Sequence, residues 1–509
     1  MLSVVVAFAC YLRLARTRPV DSDGASQALQ AWDMLHGNVL LHGWWLSDVS
    51  FYTTELPQYV LVEFVRGLNQ DVVHVAAAMT YTLVLLLAAL LAKGSGTGRA
   101  AVVRMLIAVG VMVAPQLAEG VKTLISSPDH IGTSVPVLAV FLILDRAPQR
   151  RYVPVVVSAL LGWAAIADTL VLFIGVLPIA LVCLLRAGRA RGAERWSPAQ
   201  RYHIALAAGS LIAGAAAELA LRVVRAGGGF AVQPPIIRVM HGLGALPHGV
   251  NVTGQGLLLL AGADFLGLGA DPQTAAVFLH LTGVIVIGLG ALIAVRRFLR
   301  DLGFVDQILV TAVAANLVSY AFSTQAGSIQ TTREIAAVLP LGAVLAGRML
   351  ADRVLAIRIA PAILLVVLAG YLGGLGYELV QAPAPAQNHQ LTSWLAAHHF
   401  DSGLSGFWEA NVVTLTSGDR VRVRQLTVAG RRVVPYEWES DAAWYNPRIQ
   451  SADFVVLDSG TAEYPGFTAR TAVLATFGRP ARTYRVGAYQ VLVWNKNLLR
   501  DLPGSVPLR

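Results

Sequence analysis

Two carboxylates near the amino terminus, Asp21 and Asp23, are the first candidates for a chemical site. They lie two residues apart in an Asp-Ser-Asp-Gly run, directly after the first apolar segment. Carboxylates at this spacing in a turn can share a site, where one acts as a general base and the other orients it or holds a metal ion. The alternative is an amino-terminal helix cap, because Asp and Ser are favoured there. Taken alone, the pair favours the cap.

A cluster of aromatic and acidic residues follows in the same loop. Its members are Trp44, Trp45, Asp48, Phe51, Tyr52, Glu55 and Tyr59. Sugar faces stack on aromatic rings and sugar hydroxyls bond to carboxylates, so the cluster predicts a saccharide site whose binding residues are Trp45, Asp48, Tyr52 and Glu55. An interfacial aromatic belt also explains the two tryptophans, but it does not require the two acids.

A third candidate is the run Ser126–His130, which contains Pro128 and Asp129. Asp129 beside His130 can relay a proton or add a ligand to a site, and Lys122 nearby is a plausible partner for a phosphate. Pro128 forces a turn, so the alternative is that Asp129 caps the next helix and His130 is solvated. The alternative is favoured for a lone Asp-His pair.

The fourth candidate is Arg333, in the run Thr331-Thr-Arg-Glu334. A cation at a helix amino terminus opposes the helix dipole, so Arg333 does not stabilise the helix that follows. A guanidinium group beside free helix amides makes an anion site suited to a phosphate. A side chain that reaches to the membrane interface, or an ion pair with Glu334, is an equally weighted alternative.

The amino-acid composition indicates that these residues belong to a membrane protein. Hydrophobic residues make up 56% of the 509 residues and charged residues only 14%, whereas soluble globular proteins have about 25% charged residues. The chain therefore exposes much of its surface to lipid. The net charge of +9 comes from short arginine clusters between apolar runs, which is typical of cytoplasmic loops and not of a nucleic-acid-binding module. Cys10 and Cys183 both lie in apolar runs, so no disulfide framework is expected.

The apolar runs predict eleven membrane-spanning helices, since a span needs about 20 mostly apolar residues. They are 2–18, 72–92, 101–118, 131–145, 152–167, 169–186, 203–222, 273–295, 307–324, 334–350 and 359–380. The run 152–186 is too long for one crossing, so it is split at Asp168, which is expected in water. The basic clusters then lie on one side, with the amino terminus inside and the carboxyl terminus outside. Arg13, Arg16 and Arg18 follow the first span on the outer side, so either the chain starts upstream or they act there.

The predicted organisation is a transmembrane domain, residues 1–380, with a long first external loop, 19–71, and a water-soluble domain, 381–509. The soluble domain contains short β-branched alternations around 420–424 and 452–457, and a hairpin at 483–494 that turns at Gly487. The fold class is therefore an α-helical polytopic membrane protein with a small extracytoplasmic α+β domain at its carboxyl end.

This layout resembles the GT-C superfamily of membrane glycosyltransferases, which use polyprenyl-phosphate sugars or polyprenyl-diphosphate oligosaccharides. The run Asp21–Gly37, with Ala25, Ala28, Ala31 and Leu35, is similar to the opening of the protein O-mannosyltransferase and aminoarabinose-transferase branch. That branch usually has Asp-Glu where this chain has Asp-Ser-Asp. The Trp-Trp-Asp tripeptide of oligosaccharyltransferases is absent from the sequence, so oligosaccharide transfer to asparagine is not expected.

The resemblance implies that Asp23, with Asp21 beside it, supplies the catalytic base and that Arg333 lies near the lipid phosphate. The expected partners are a polyprenyl-phosphate sugar, membrane lipids and an acceptor in the cell envelope (a glycan, lipid or protein), but no nucleic acid. No cofactor is required, although Mg²⁺ or Mn²⁺ becomes possible if Asp21, Asp23 and Asp129 converge. Asp23 is preferred as the base because Gly24 beside it should let a ligand approach.

Two other functions fit the composition. A transporter or flippase of lipid-linked sugars should have charged or broken helices near the middle of the bilayer and a repeat between its halves. A membrane scaffold without catalytic activity would use its soluble tail to bind glycans or a partner. The candidate residues distinguish these hypotheses, because a transferase at the plasma membrane must bring Asp21, Asp23, Asp129 and Arg333 together outside.

Overall fold

A computed structural model describes residues 2–115, 122–189, 197–234, 238–240, 242–265, 272–386, 388–458 and 469–504. The α-helices of this part of the chain are α1 Leu2–Ala15, α2 Ser22–Leu35, α3 Leu56–Arg66, α4 Asp71–Lys93, α5 Gly98–Met112, α6 Ser134–Arg146, α7 Val153–Ala167, α8 Leu177–Arg189, α9 Pro198–Ala226, α10 Leu246–Leu260, α11 Pro272–Arg297, α12 Phe304–Ala321, α13 Val338–Ala356, α14 Ala360–Leu379, α15 His389–Ala397, α16 Phe407–Thr416 and α17 Arg470–Phe477. Short 3₁₀ or π turns lie at Lys122–Ser126, His130–Thr133, Leu172–Val176, Leu243–Ala245, Thr324–Gly327, Ile329–Ile335, Ala442–Tyr445 and Leu498–Arg500.

The apolar helices follow the predicted spans closely. A helix occupies each of the eleven segments, and the long run 152–186 is divided into two helices around Asp168, as predicted. By length and apolar composition, six described helices are long enough to cross a membrane, or seven if the bent pair Ile329–Ile335 and Val338–Ala356 is one span. The helical membrane fold is confirmed, and the count of eleven crossings stays a prediction.

The carboxyl-terminal part contains the predicted β structure. Its strands are β3 Ser402–Ser405, β4 Arg422–Ala429, β5 Arg432–Pro435, β7 Phe454–Asp458, β8 Arg482–Val486 and β9 Tyr489–Val493, in the sheet order β5-β4-β3-β7-β9-β8. Strand β3 is parallel to β4 and β7, and the other pairs are antiparallel. The hairpin turns at Gly487, whose φ of 59° suits a glycine.

A second, three-stranded sheet joins distant parts of the chain. Strand β1, Trp44–Leu46 in the first loop, lies between β2, Ala231–Val232, and β6, Ser440–Asp441. Helix α16 also packs on α2, where Val412 and Leu415 share a buried cluster with Ala25 and Ala28. The small side chains on α2 let the backbones approach closely. The first loop and the carboxyl-terminal sheet domain therefore form one packed unit.

Arginines at the ends of α1 and α3 hold this unit to the membrane helices. Arg16 donates to both oxygens of Asp71, with N–O distances of 2.7 and 2.6 Å, and Arg66 reaches the same carboxylate at 2.6 Å. Arg13 donates to the carbonyl oxygen of Gln381 at 2.5 Å. These contacts tie the chain after α14 to the end of α1, and they give the arginines at this end of the helix defined partners.

Candidate active site

Asp21 and Asp23 have different positions at the start of α2. Asp21 is the N-cap residue, and its Oδ1 accepts a hydrogen bond from the Gly24 backbone N–H at 2.9 Å. Asp23 lies in the first turn of the helix. Its Oδ2 accepts a hydrogen bond from Nη1 of Arg333 at 2.9 Å. The capping alternative therefore describes Asp21, whereas Asp23 joins a charged cluster.

Gly24 does not provide room for a ligand, so that expectation is wrong. A Cβ atom at this position would lie 2.7 Å from a methyl group of Val73 and 3.2 Å from Cβ of Ser127. The glycine instead lets α2 pack closely against α4 and the turn that precedes Asp129.

Arg333 makes ion pairs with both Asp23 and Asp129. It lies in the 3₁₀ turn Ile329–Ile335, which is bent by 54° relative to α13. Its Nη1 donates to Asp23 and also to Oδ2 of Asp129, at 3.1 Å. The Arg333 side chain is 41% exposed, and its Nε has no hydrogen-bond partner among the described residues. The guanidinium group is therefore held in place with donor capacity left over.

Asp129 and His130 do not behave as a cap and a solvated histidine. Asp129 makes no side-chain cap hydrogen bond, and His130 is only 5% exposed. His130 Nδ1 lies 2.9 Å from Oδ2 of Asp168, and its Nε2 lies 3.4 Å from Oε1 of Glu334. The favoured interpretation of this pair was wrong because two other segments supply buried partners for the imidazole.

Asp168 is buried, at 1% exposure, and not in water as predicted. Besides His130, its carboxylate accepts hydrogen bonds from Thr133 Oγ1 at 2.5 Å and from the Leu170 backbone N–H at 2.8 Å. A buried carboxylate needs such partners to offset its lost hydration. Asp168 thus orients His130 toward Glu334 and Asp129 on its other side.

The charges in this cluster reinforce one another. Burial opposes charge on Asp129, but the nearby Arg333 and His130 cations outweigh it and lower the pKa of Asp129. Burial likewise opposes the charged form of His130, but Glu334, Asp168 and Asp129 raise its pKa well above the usual value. We therefore expect a carboxylate at Asp129 and an imidazolium at His130 at neutral pH.

Of the four predicted sugar-binding residues, Glu55 lies at these acids, and Phe51 of the same loop packs on His130 with ring centroids 5.6 Å apart. Glu55 is fully buried at the start of α3, and Gly132 packs so closely on it that any side chain at position 132 would overlap its carboxyl group. Its Oε1 has no hydrogen-bond partner in the described chain. Burial raises the pKa of Glu55, and the charges of Asp168 and Asp129 raise it further. The hydrogen bond from Thr54 lowers the pKa but does not cancel these effects.

The other predicted sugar-binding residues contact different parts of the molecule. Trp45 packs beside Tyr445 of the sheet domain, with ring centroids 6.4 Å apart. Tyr52 packs on Phe230, and its hydroxyl donates to the Val39 carbonyl at 2.9 Å. Asp48 lines a separate cavity of about 230 Å³ together with residues of α7 and α9. The side chain of Lys122 lies outside the described residues.

The sheet domain adds an acid that was not predicted, Glu439. It is 4% exposed, and its carbonyl accepts a hydrogen bond from Gln425 Nε2 at 2.8 Å. Its φ of 49° is unusual for a residue with a side chain and marks a constrained position. Burial raises the pKa of Glu439 well above its usual range, and the charges of Asp23 and Asp129 add to this. The signal in the sequence was the aromatic and acidic run Tyr436–Asp441.

The charged cluster does not have the donor arrangement of a metal site. Among the described residues, no group of three or more His, Cys, Asp or Glu side chains is placed to hold a metal ion. Asp21 is engaged as a helix cap, and a guanidinium lies between Asp23 and Asp129 where a shared cation would sit. The described residues of this cluster therefore do not fit a divalent metal ion.

Comparison with known proteins identifies the fold. ArnT from Cupriavidus metallidurans, solved with bound undecaprenyl phosphate, is 12% identical, with a TM-score of 0.55 over 100% of this chain and 98% of ArnT. The Archaeoglobus fulgidus oligosaccharyltransferase, solved with a tethered acceptor peptide, is 15% identical, with a TM-score of 0.48 over 90% of this chain and 69% of that protein. No protein-family model and no curated protein sequence matches this chain. The chain therefore has the fold of ArnT over its whole length, as expected from the resemblance.

Proposed function

We propose that this protein is a membrane glycosyltransferase that moves a sugar from a polyprenyl-phosphate carrier to an acceptor at the outer face of the membrane. The observation that carries the proposal is the convergence of Asp23, Asp129 and Arg333, since the arginine lies 310 residues after Asp23 and 204 residues after Asp129. The fold shared with ArnT, which was solved with undecaprenyl phosphate, supports the choice of donor. A scaffold has no need for a partly exposed arginine between two acids.

Arg333 is the proposed phosphate ligand. Nη1 makes the hydrogen bonds to both acids, and the exposed part of the side chain leaves donors for phosphate oxygens. A guanidinium group can bind phosphate through two parallel hydrogen bonds. As the bond between the sugar and the phosphate breaks, negative charge grows on the leaving oxygen, and a prearranged cation stabilises that charge. Asp129 keeps the guanidinium in place during this step.

Asp23 is the proposed general base. The acceptor hydroxyl oxygen forms a bond to the anomeric carbon while the bond from that carbon to the phosphate oxygen breaks. The hydroxyl proton passes to Asp23, and polyprenyl phosphate leaves. The attack comes from the face opposite the phosphate, so one displacement inverts the anomeric configuration.

Donor binding and base strength are coupled in this arrangement. An ion pair with Arg333 stabilises the carboxylate of Asp23 and so weakens it as a base. A phosphate that takes hydrogen bonds from the same guanidinium competes with this ion pair. Donor binding thus withdraws the hydrogen bond that holds Asp23 and leaves its carboxylate free to accept the proton of the acceptor hydroxyl.

Two buried acids complete the proposed site. Burial raises the pKa values of Glu439 and Glu55, so these carboxyl groups favour the neutral form and repel the phosphate less than exposed glutamates would. A protonated carboxyl group can also donate a hydrogen bond to a sugar or acceptor oxygen. Glu439 comes from the sheet domain, so the active site proposed here includes that domain. This requires residues 381–509 to lie on the outer side, and a cytoplasmic location in a reporter fusion would contradict the proposal.

The decisive experiment measures transfer of radiolabelled sugar from polyprenyl phosphate in membranes that contain the wild type or Asp23→Asn. Asparagine has the same shape but cannot accept the proton, and loss of a general base lowers a rate by about 10²–10⁴-fold. We expect that loss, with unchanged expression and unchanged retention of the labelled lipid. If the wild type moves labelled lipid across vesicles without transferring its sugar, the chain is a transporter. If neither process occurs with any polyprenyl-phosphate sugar, the scaffold hypothesis replaces the enzyme.

A further inference from the structure

A second polar cavity lies between the first loop and the sheet domain, away from the charged cluster. Its volume is about 210 Å³, smaller than the roughly 300–1,000 Å³ of pockets for drug-sized ligands. The side chains that characterise it are Trp32, Asp33, Trp44, Asp419, Arg424 and Trp444. Trp32 lies nine residues after Asp23 on α2, which corresponds to about 14 Å along the helix. The cavity is therefore distinct from the proposed catalytic site.

The tryptophans form a fixed aromatic wall. Trp44 is 2% exposed, and its ring packs edge-on against Trp444, with centroids 5.0 Å apart. Trp44 Nε1 donates to Oδ2 of Asp33 at 2.8 Å, and Asn38 Nδ2 donates to the same oxygen at 2.7 Å. Both the rings and the carboxylate are thus oriented before any ligand arrives, which lowers the entropy cost of binding.

Arg424 and Asp419 add hydrogen-bonding groups to the lining of the cavity. The guanidinium carbon of Arg424 lies 3.9 Å from the centre of the Trp444 ring, a cation–π contact that holds the side chain flat. Within the described residues, no hydrogen bond engages its N–H groups, so they remain donors. Asp419, which is paired with Arg422 at 3.0 Å and is 30% exposed, supplies acceptor oxygens beside it.

We propose that this cavity binds one neutral sugar ring, as a saccharide site separate from the charged cluster. A sugar has an apolar face that packs on an aromatic ring and a rim of hydroxyls that both donate and accept. The cavity provides indole surface next to two carboxylates and one guanidinium. Its formal charge is negative by one, from Asp33 and Asp419 against Arg424, so acidic sugars are disfavoured.

The position of the cavity relative to Asp23 indicates that the bound sugar is part of the acceptor. The walls come from α2 of the first loop and from the sheet domain, and α2 leads from the cavity back to Asp23. A saccharide bound here therefore lies about three helical turns from the proposed base. This inference rests on the proposed function. The cavity then binds a sugar of the acceptor glycan other than the sugar residue that reacts.

Binding is tested directly on the purified full-length protein in nanodiscs or in a detergent without a sugar headgroup. The probes are glucose, mannose, galactose, N-acetylglucosamine and glucuronate, followed by saturation-transfer NMR and calorimetry. We expect saturable binding of at least one neutral sugar and weaker binding of glucuronate. Loss of one ring or one carboxylate should weaken binding about tenfold, so Trp32→Leu and Asp419→Asn are the test variants.

Matched controls separate this site from other surfaces. Trp163→Leu makes the same change at a tryptophan that is 53% exposed elsewhere and should leave binding unchanged. Asp23→Asn should also leave sugar binding unchanged while it abolishes transfer, which separates failure of this inference from failure of the proposed function. Binding that is lost in Asp23→Asn but kept in Trp32→Leu and Asp419→Asn would overturn the proposal, as would the absence of saturable binding in the wild type.

Discussion

Two arginines of this protein each bridge two aspartates, and the difference between them separates a structural contact from the proposed phosphate site. Arg348, in α13, uses all of its nitrogens: Nε donates to Asp306, Nη2 pairs with Asp145 at 3.1 Å, and Nη1 donates to the Leu91 carbonyl at 3.0 Å. Its side chain is 14% exposed. Arg333 uses one nitrogen for both acids, is 41% exposed and has an unpartnered Nε.

The same combination of one arginine and two aspartates therefore serves two purposes. The guanidinium group of Arg348 has all its nitrogens in hydrogen bonds, so it cannot bind a ligand and instead holds helices together. The guanidinium group of Arg333 is held by two carboxylates and keeps donors for a third anion. Residue type does not distinguish these cases, whereas coordination and exposure do. Substitutions at the two arginines should accordingly have opposite signatures.

Of the two arginines, Arg333 should have the larger effect on catalysis. In the proposed mechanism Arg333→Met removes the charge that stabilises the leaving phosphate, and loss of such a group costs about 10²–10³ in rate. Arg333→Lys keeps the charge without the planar fork, so part of the activity should remain. Initial rates of sugar transfer measure both. Arg358→Met, at an exposed position after α13, is the control, and equal rates for all four proteins would remove Arg333 from the mechanism.

Arg348 should show the reverse pattern. Arg348→Met leaves Asp145 and Asp306 buried without their partner, and breaking a buried pair costs about 3–5 kcal/mol of stability. Transfer activity per folded molecule should stay close to wild type. The measurement is the midpoint of thermal unfolding in detergent, beside Asp352→Asn, whose 73% exposed carboxylate contributes less than about 1 kcal/mol. Comparable losses for the two variants would remove the contrast between the arginines.

The pH dependence of stability tests whether Glu439 is a neutral acid beside Arg333. The raised pKa of Glu439 means that the folded state binds a proton that the unfolded state releases near pH 4.3. Stability from this group is therefore present below about pH 4 and is lost as pH rises toward the folded pKa. Unfolding midpoints of the wild type should fall with pH over this window more steeply than those of Glu439→Gln, which cannot titrate. Parallel curves for the two proteins would mean that Glu439 is not a neutral acid in the site.

The parts that the sequence predicted are those that depend on the membrane or on short local patterns. Lipid requires long apolar helices with basic loops on one side, so the span pattern could be derived from composition alone. Because helix ends lie at a membrane surface, Asp23, Asp129 and Arg333 could be assigned to the same surface even though they are far apart in sequence. The β-hairpin around Gly487 followed from alternation and a turn residue in the same way.

The parts that were missed depend on which loops meet. Nothing near His130 indicates that Asp168 will pair with it, and nothing near Asp23 indicates that Glu439 will approach from the sheet domain. The pairing of β1 with β6 decides both the position of Glu439 and the environment of Trp44. Because of such long-range pairing, the predicted sugar-binding residues do not form one site. Glu55 lies beside Asp129 and Asp168, whereas Trp45, Tyr52 and Asp48 contact other parts of the protein.

The smallest effect is expected at Asp21, and it tests the division of labour between the two neighbouring carboxylates. Asp21 accepts a hydrogen bond from the Gly24 N–H at the helix start, and asparagine caps helices about as well as aspartate. Asp21→Asn should therefore keep stability within about 0.5 kcal/mol and keep most of the transfer activity. Asp21→Ala removes the cap, so it should lower stability by about 0.5–2 kcal/mol and affect the rate only through the position of Asp23.

The two Asp21 variants are read against Asp23→Asn in one assay of transfer and unfolding. If Asp21→Asn loses activity by a factor of a hundred or more while Asp23→Asn stays active, the two roles are exchanged, and the carboxylate bound to Arg333 is the one that only positions the arginine. That outcome would also mean that an open guanidinium can be held by two anions for purely structural reasons, against the contrast with Arg348. The cap geometry argues the other way, because a side chain committed to a backbone N–H has little freedom to follow a reacting hydroxyl.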